Sequence, residues 1–223
     1  SRRCGSDYAT GGSPHALSRQ LEVLRDADPP QAFCALMTLL STHASARALF
    51  EFGYRGQTAD SATVTLAKQR LRLAVLFQMI FPGAPAVLYG DEVGVTGGED
   101  PYNRVTYPWP DRGGKPDLRL LRDYKALIKL RRDHAVLRHG SLDAPAYIDN
   151  HVIVLIRRVG TRVAINATNN DRAPRVVTVA LPNDLNGAHF SDALSGSQID
   201  AHDGAVELNV PAMFGLVLLS DGS

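Results

Sequence analysis

The sequence carries a carboxylate and a guanidinium, Asp100 and Arg104, and both side chains can form hydrogen bonds with hydroxyl groups. A carboxylate accepts hydrogen bonds from two neighbouring hydroxyls, and a guanidinium donates to hydroxyl and ring oxygens and to the carboxylate itself. The same two residues would also form an ordinary salt bridge that holds a loop. Both interpretations remain open from the residues alone.

Three further polar residues follow apolar runs, where a strand would present them at one edge of a sheet. His43 comes after the run 33–40 and can donate a hydrogen bond to a hydroxyl; a buried histidine bonded to a backbone carbonyl is the alternative. Asp91 and Glu92 come after the run 84–89. Because adjacent residues at a strand end point to opposite faces, these carboxylates cannot flank one bond, and we predict that they hold the loop by hydrogen bonds.

Aromatic residues near these groups have two explanations as well. Tyr102 and Trp109 offer apolar faces on which a sugar ring could stack, and packing beneath the loop explains them equally well. Five other histidines show no metal-ligand spacing, so we expect neither a metal nor another cofactor; they are His134, His139, His151, His189 and His202.

Composition excludes several classes of partner. The formal net charge is +1, from 24 basic and 23 acidic residues, which argues against a nucleic-acid partner. No membrane span or secretory signal is visible. The two cysteines, Cys4 and Cys34, have neither metal-binding nor redox spacing.

Periodicity predicts strands and helices that would position the polar groups. The runs 33–40 and 84–89 predict strands of a parallel sheet, buried on both faces. Residues 62–80 predict a helix with a broad apolar face, and Pro116-Asp117 predicts the start of another helix that runs to about Leu137. From about Pro145 the period changes to two, which predicts an antiparallel sheet built from the runs 146–149, 152–158, 162–167, 175–181, 205–210 and 214–219.

Several of these motifs, taken in order, resemble those of the α-amylase superfamily (glycoside hydrolase family 13). They are Phe81-Pro-Gly-Ala-Pro, Tyr89-Gly-Asp-Glu, Asp100-Pro-Tyr-Asn-Arg and Tyr107-Pro-Trp. Within the superfamily, the sequence is most similar to the group of cyclomaltodextrinases, maltogenic amylases and neopullulanases. The resemblance covers nearly the whole chain.

The resemblance implies an α/β part followed by an all-β part. Residues 1–140 would form the last two strand–helix units of a (β/α)8 catalytic barrel, and residues 141–223 would form a C-terminal antiparallel β-sandwich. A complete barrel needs eight strands, and we find two. We therefore expect the chain to be the C-terminal portion of a longer protein.

The resemblance also implies roles for individual residues. Asp100 and Arg104 match positions that line the subsite holding the glucose to be cleaved, and His43 matches a substrate-binding histidine. Retaining hydrolysis needs a nucleophile and a general acid about 5 Å apart, and the family places both on earlier strands that this chain lacks. The family's third catalytic aspartate follows the histidine, where this sequence has Ala44. No intact catalytic residue is therefore expected.

These observations predict the C-terminal part of a hydrolase that cleaves α-glycosidic bonds in cyclodextrins, maltooligosaccharides or pullulan with retention, inactive as an isolated chain. The alternative is a non-catalytic relative that binds glucan or has a structural role, and Ala44 favours it. The expected partner is an α-glucan oligosaccharide, without nucleic acid or membrane. Full-length relatives are often homodimers, and the expected location is cytoplasmic.

Overall fold

Helices and two short strands form the first part of the chain in the computed structural model, which describes residues 6–27, 29–56 and 59–220. Cys4 lies outside the described residues. The elements, in chain order, are α1 (Ser6–Ala9), α2 (Pro14–Ala27), α3 (Pro30–Ala35), β1 (Met37–Leu39), α4 (Ala48–Glu51), α5 (Ser61–Ile80), β2 (Ala84–Ala86), α6 (Leu118–Asp133) and α7 (Ala135–His139).

The strands β1 and β2 pair in parallel, with Met37 opposite Ala84 and Leu39 opposite Ala86. The prediction that both are buried on both faces is wrong: Met37 is 49% exposed, and β2 contains no buried residue. Within the described ranges each strand has one strand neighbour. Neither is therefore covered as a strand inside a larger parallel sheet would be.

The apolar run 33–40 is only partly a strand. Its beginning, Phe33 to Ala35, belongs to α3, and the strand starts at Met37. Pro30 lies in the first turn of α3, where the fixed backbone angle of proline favours a helix start. A short continuous apolar run does not distinguish a strand from a buried helix, which explains the wrong assignment.

Helix α5 is the central element of the fold. Every residue from Leu73 to Ile80 is buried, as expected for a helix that is covered on all sides. On one side, Gln78 Nε2 donates to the carbonyl oxygens of Thr38 (2.8 Å) and Ala86 (3.1 Å), which joins α5 to β1 and β2. On the other side α5 packs against the β-sheet that follows in the chain.

Helix α6 lies along α5 and is attached to it by ion pairs. The predicted N-cap is confirmed, since Asp117 Oδ1 accepts hydrogen bonds from the backbone N–H groups of Arg119 and Leu120, both at 3.0 Å. Asp117 Oδ2 also lies 2.7 Å from Lys68 Nζ, and Asp123 Oδ2 lies 2.7 Å from Arg72 Nε. The helix ends at Asp133 rather than continuing to Leu137, because His134 has an extended backbone.

Replacing Asp117 with alanine should therefore cost more than replacing Asp123. Both changes remove one partly exposed ion pair with α5, which contributes at most about 1 kcal/mol. Only Asp117→Ala also removes the N-cap, at a further cost of about 1 kcal/mol. Urea unfolding of the two variants measures this difference, and equal free energies of unfolding would show that the cap contributes nothing.

The second part of the chain is an antiparallel β-sandwich. Its strands are β3 (Tyr147–Ile148), β4 (Val152–Val159), β5 (Arg162–Asn169), β6 (Arg175–Ala180), β7 (His189–Asp192), β8 (Gln198–Asp200), β9 (Ala205–Val210) and β10 (Phe214–Ser220). Six strands form one sheet in the order β3-β4-β5-β10-β7-β8, and β6 pairs with β9. The strands β7 and β8 were not predicted from the sequence, because strands this short carry little periodicity.

Two buried arginines bind carbonyls around the end of α5, and Arg157, which lies on β4, joins the two parts of the chain. Arg131 donates to the carbonyls of Met79, Phe81, Gly83 and Leu137, and Arg157 donates to those of Ile80, Leu137, Gly140 and Ser141. Several of these carbonyls end α5, where no intrahelical donor exists and the helix dipole favours a cation. Burial, together with the neighbouring Arg131, lowers the pKa of Arg157 to about 10. The predicted domain boundary at residue 140 stays a prediction.

Candidate functional site

The polar residues singled out in the sequence lie in two loops that follow β1 and β2. Because the strands are parallel and adjacent, their carboxyl ends meet at one edge, which is where α/β folds place their sites. The first loop carries His43 and Ala44, and the second carries Asp100 and Arg104.

The four predicted positions are all exposed, and the structure brings them together. Arg104 Nη2 donates to Asp100 Oδ2 at 2.9 Å, and both side chains are 54% exposed. Arg104 Nε also donates to the backbone carbonyl of His43 at 3.3 Å. The salt bridge considered as an alternative therefore exists, and its exposure leaves the outer faces of both groups open to a ligand.

His43 is exposed, so the alternative of a buried histidine is wrong. Its neighbour Ala44 lies in a turn that is stabilised by the hydroxyl groups of Thr42 and Ser45. Ala44 N–H donates to Thr42 Oγ1 at 3.1 Å, and Thr42 N–H donates to Ser45 Oγ at 3.2 Å. These hydrogen bonds fix the backbone around Ala44, whose methyl group is exposed to solvent. A methyl group has no polar atom with which to bind a ligand.

Two buried residues, Arg47 and Asn103, connect the loops. Arg47 is fully buried and donates to the carbonyls of Asn103 (2.7 Å, from Nε) and Tyr89 (2.6 Å, from Nη1). Asn103 Nδ2 donates to the carbonyls of His43 (2.9 Å) and Ser45 (2.8 Å). Sequence reasoning missed Arg47, although an arginine within an apolar stretch signals a charge that needs buried partners.

Asp91 completes this buried network. Its Oδ1 lies 3.2 Å from Arg47 Nη1, so the predicted role of holding the loop by hydrogen bonds is confirmed for Asp91. It is not confirmed for Glu92, whose Oε2 is buried without a hydrogen-bond partner. Burial raises the pKa of Asp91 to about 6, against the lowering effect of the Ser41 hydroxyl and of Arg47. Desolvation of the carboxylate thus outweighs its attraction to the arginine, as is common for buried ion pairs.

Aromatic side chains surround the exposed residues. Tyr102 is 71% exposed and Trp109 is 55% exposed, so neither is buried beneath the loop. The rings of Tyr107 and Trp109 contact each other with centroids 4.4 Å apart. The exposed ring surfaces are suited to stacking against an apolar sugar face.

Within the described ranges, no three His, Cys, Asp or Glu side chains are grouped so that they could hold a metal ion. None of the helices in the same ranges is long and apolar enough to cross a membrane.

Curated relatives match most of the chain. The amylopullulanase of Thermoanaerobacter thermohydrosulfuricus is 33% identical over 219 residues, which are 92% of this chain and 14% of that protein. Neopullulanase 2 of Thermoactinomyces vulgaris is 30% identical over 214 residues, covering 95% and 34% respectively. A cyclomaltodextrinase of a Bacillus species is 35% identical over 146 residues, covering 65% and 24%. No protein-family model matches the chain.

Solved structures give the same result for the fold. An α-amylase from Anoxybacillus superposes with a TM-score of 0.81 at 21% identity, covering 98% of this chain and 45% of that one. A cyclomaltodextrinase superposes with a TM-score of 0.69 at 30% identity, covering 86% and 30%. The chain belongs to the α-amylase superfamily. Its elements are the last two strand–helix units of a (β/α)8 barrel and the C-terminal β-sandwich of that superfamily.

The chain spans at most 34% of the length of these curated relatives. Its superfamily membership accounts for the exposed residues of β1 and β2, because in a closed barrel side chains of the other strands fill the interior and each strand has a second strand neighbour. It also accounts for the place of the candidate site at the carboxyl ends of the strands.

Proposed function

We propose that this chain supplies part of the sugar-binding site of an α-glucan-acting glycoside hydrolase, with His43, Asp100 and Arg104 as the ligand contacts. The observation that carries the proposal is the exposed Asp100–Arg104 pair, held against the His43 backbone at the carboxyl ends of two adjacent parallel strands. A carboxylate that accepts from neighbouring hydroxyls and a guanidinium that donates to oxygens together match the hydroxyl groups and ring oxygen of a glucose unit.

The names of related proteins support α-glucans as ligands. Relatives of the chain are amylopullulanases, cyclomaltodextrinases and neopullulanases, and an α-amylase of the same fold has been solved with acarbose. We propose cyclodextrins, maltooligosaccharides or pullulan as substrates of the complete protein. The isolated chain should not hydrolyse them, because Ala44 replaces a carboxylate and the paired carboxylates of retaining hydrolysis are not among its site residues.

Titration calorimetry with maltotriose tests the proposal. Asp100→Ala should weaken binding about tenfold or more, since it removes charge-assisted hydrogen bonds worth about 1.5 kcal/mol or more. Asp133→Ala is the matched control. Asp133 also forms an exposed ion pair with a residue four positions away, Lys129, and this pair lies on a helix remote in sequence from the site. Equal affinities of the two variants, or no binding at millimolar sugar by the unaltered chain, would contradict the proposal.

A non-catalytic relative that binds glucan or has a structural role is the second candidate, and Ala44 is the observation that favours it. Release of reducing sugar decides whether the chain itself is catalytic. We expect none from the unaltered chain, and release that Asp100→Ala abolishes would contradict this expectation. Binding without release in the complete protein would favour the non-catalytic relative.

We also propose a cytoplasmic location, supported by Cys34, an exposed free thiol of the kind that persists in reducing compartments. Cell fractionation checks this proposal. The homodimer expected of the complete protein is a further proposal, which light scattering checks.

A further inference from the structure

The proposed sugar-binding residues His43, Asp100 and Arg104 are exposed, and few interactions of their side chains hold them in place. An ion pair between side chains that are 54% exposed, such as Asp100–Arg104, is weak and easily rearranged. By contrast, Arg47 is fully buried and Asn103 is 1% exposed. Hydrogen bonds in such a site are stronger than in water, and breaking them leaves buried polar groups unpaired.

The connections made by these buried residues have a definite geometry. Arg47, from the first loop, donates to the carbonyls of Tyr89 and Asn103, both in the second loop. Asn103 then donates back to His43 and Ser45 in the first loop. The residue next to Asn103 is Arg104, so the network ends at the base of a proposed sugar contact.

We propose that Arg47 and Asn103 are positioning residues that set the distance between His43 and the Asp100–Arg104 pair; this inference rests on the proposed sugar site. Neither residue touches the ligand. Lysine cannot replace Arg47, because a single ammonium does not present the fork of donors that spans two carbonyls and the Asp91 carboxylate. Without the network the sugar contacts would sample many arrangements, of which few match one glucose unit.

Amide hydrogen exchange tests the inference without any sugar. The N–H groups of Tyr102 and Arg104 donate to Glu99 (2.8 Å) and Pro101 (3.1 Å) within the loop, so their exchange reports local opening. In Arg47→Met their exchange should accelerate at least about tenfold, the effect of one lost charge-assisted hydrogen bond. Arg157→Met is the matched control, being an equally buried arginine that donates to carbonyls elsewhere.

The control separates positioning from general stability. Arg157→Met should lower global stability and leave the exchange of these two loop amides unchanged, because loop amides exchange through local opening. Equal exchange in Arg47→Met and the unaltered chain, or equal acceleration in both variants, would overturn the inference. These outcomes do not depend on sugar binding, so they differ from failure of the proposed function.

Asn103→Ser provides a second variant in case Arg47→Met does not fold. It removes the amide that bonds to the first loop and introduces no buried charge. The same loop amides should exchange faster by at least about tenfold. Trp109 is the one tryptophan of the chain, so its fluorescence can follow maltotriose binding. Asn103→Ser should bind maltotriose at least about tenfold more weakly than the unaltered chain does. Unchanged exchange in Asn103→Ser would overturn the inference.

Discussion

Replacing Arg157 with methionine should lower the free energy of unfolding by about 3 kcal/mol. The change leaves the carbonyls of Ile80, Gly140 and Ser141 without their arginine donor. Each carbonyl left unsatisfied lowers the free energy of unfolding by about 1 to 3 kcal/mol. Removing the buried guanidinium offsets part of this loss, because its burial is itself unfavourable, as the lowered pKa of Arg157 indicates.

The adjacent residue offers a matched control for this experiment. Arg158 is partly exposed and pairs with the exposed Asp184 at 2.6 Å. Exposed ion pairs of this kind contribute about 0 to 1 kcal/mol, so Arg158→Met should change stability little. Urea unfolding at constant pH compares the two variants. Equal losses would mean that the junction between α5 and the sandwich does not depend on the carbonyl contacts of Arg157.

The second large effect is a pH dependence that arises from Asp91. Its pKa is about 6 in the folded chain against an ordinary value of 3.8. Between these two pH values the folded chain keeps a proton that the unfolded chain has released. Stability from this group is therefore present at low pH and is lost as the pH rises towards 6, by about 3 kcal/mol in total.

Comparison with Asp91→Asn isolates this contribution. From pH 4 to pH 7 the unaltered chain should lose about 2 kcal/mol of stability relative to the variant, because the rest of the total is lost below pH 4. Above pH 7 the difference should stay constant. The groups that act on Asp91 are Arg47, the Ser41 hydroxyl and Glu92, and Tyr124 of α6 interacts with it as well. Glu92 disfavours the charged carboxylate, whereas Arg47 and Ser41 favour it.

Asp184, a carboxylate whose pKa is lowered rather than raised, serves as the control. The hydrogen bond from Arg158 lowers the pKa of the exposed Asp184, so its contribution is lost as the pH falls rather than as it rises. The relative stability of Asp184→Asn should therefore change in the opposite direction across acidic pH. Parallel curves for the unaltered chain and Asp91→Asn would show that the Asp91 carboxyl is not protonated in the folded chain near pH 5.

Local sequence signals determined much of the fold and the candidate site. Helix α5 and the N-cap Asp117 follow from apolar spacing and from side chains that bond to nearby backbone groups, which are short-range effects. The short runs that follow Pro145 predicted the strands β3, β4, β5, β6, β9 and β10. His43, Asp100 and Arg104 were indicated by the resemblance of their motifs to those of the superfamily, and the structure places them in two adjacent loops.

Only the tertiary structure decided which residues are exposed and how the loops are joined. The strands β1 and β2 have exposed residues although their sequences are apolar. Burial depends on neighbouring elements, which an apolar run does not specify. Arg47, Arg131 and Arg157 bond to carbonyls far away in sequence, and their charge alone predicted solvent exposure. The family motifs thus indicated the proposed sugar contacts. The buried donors beside them depend on distances between segments that only the folded chain defines.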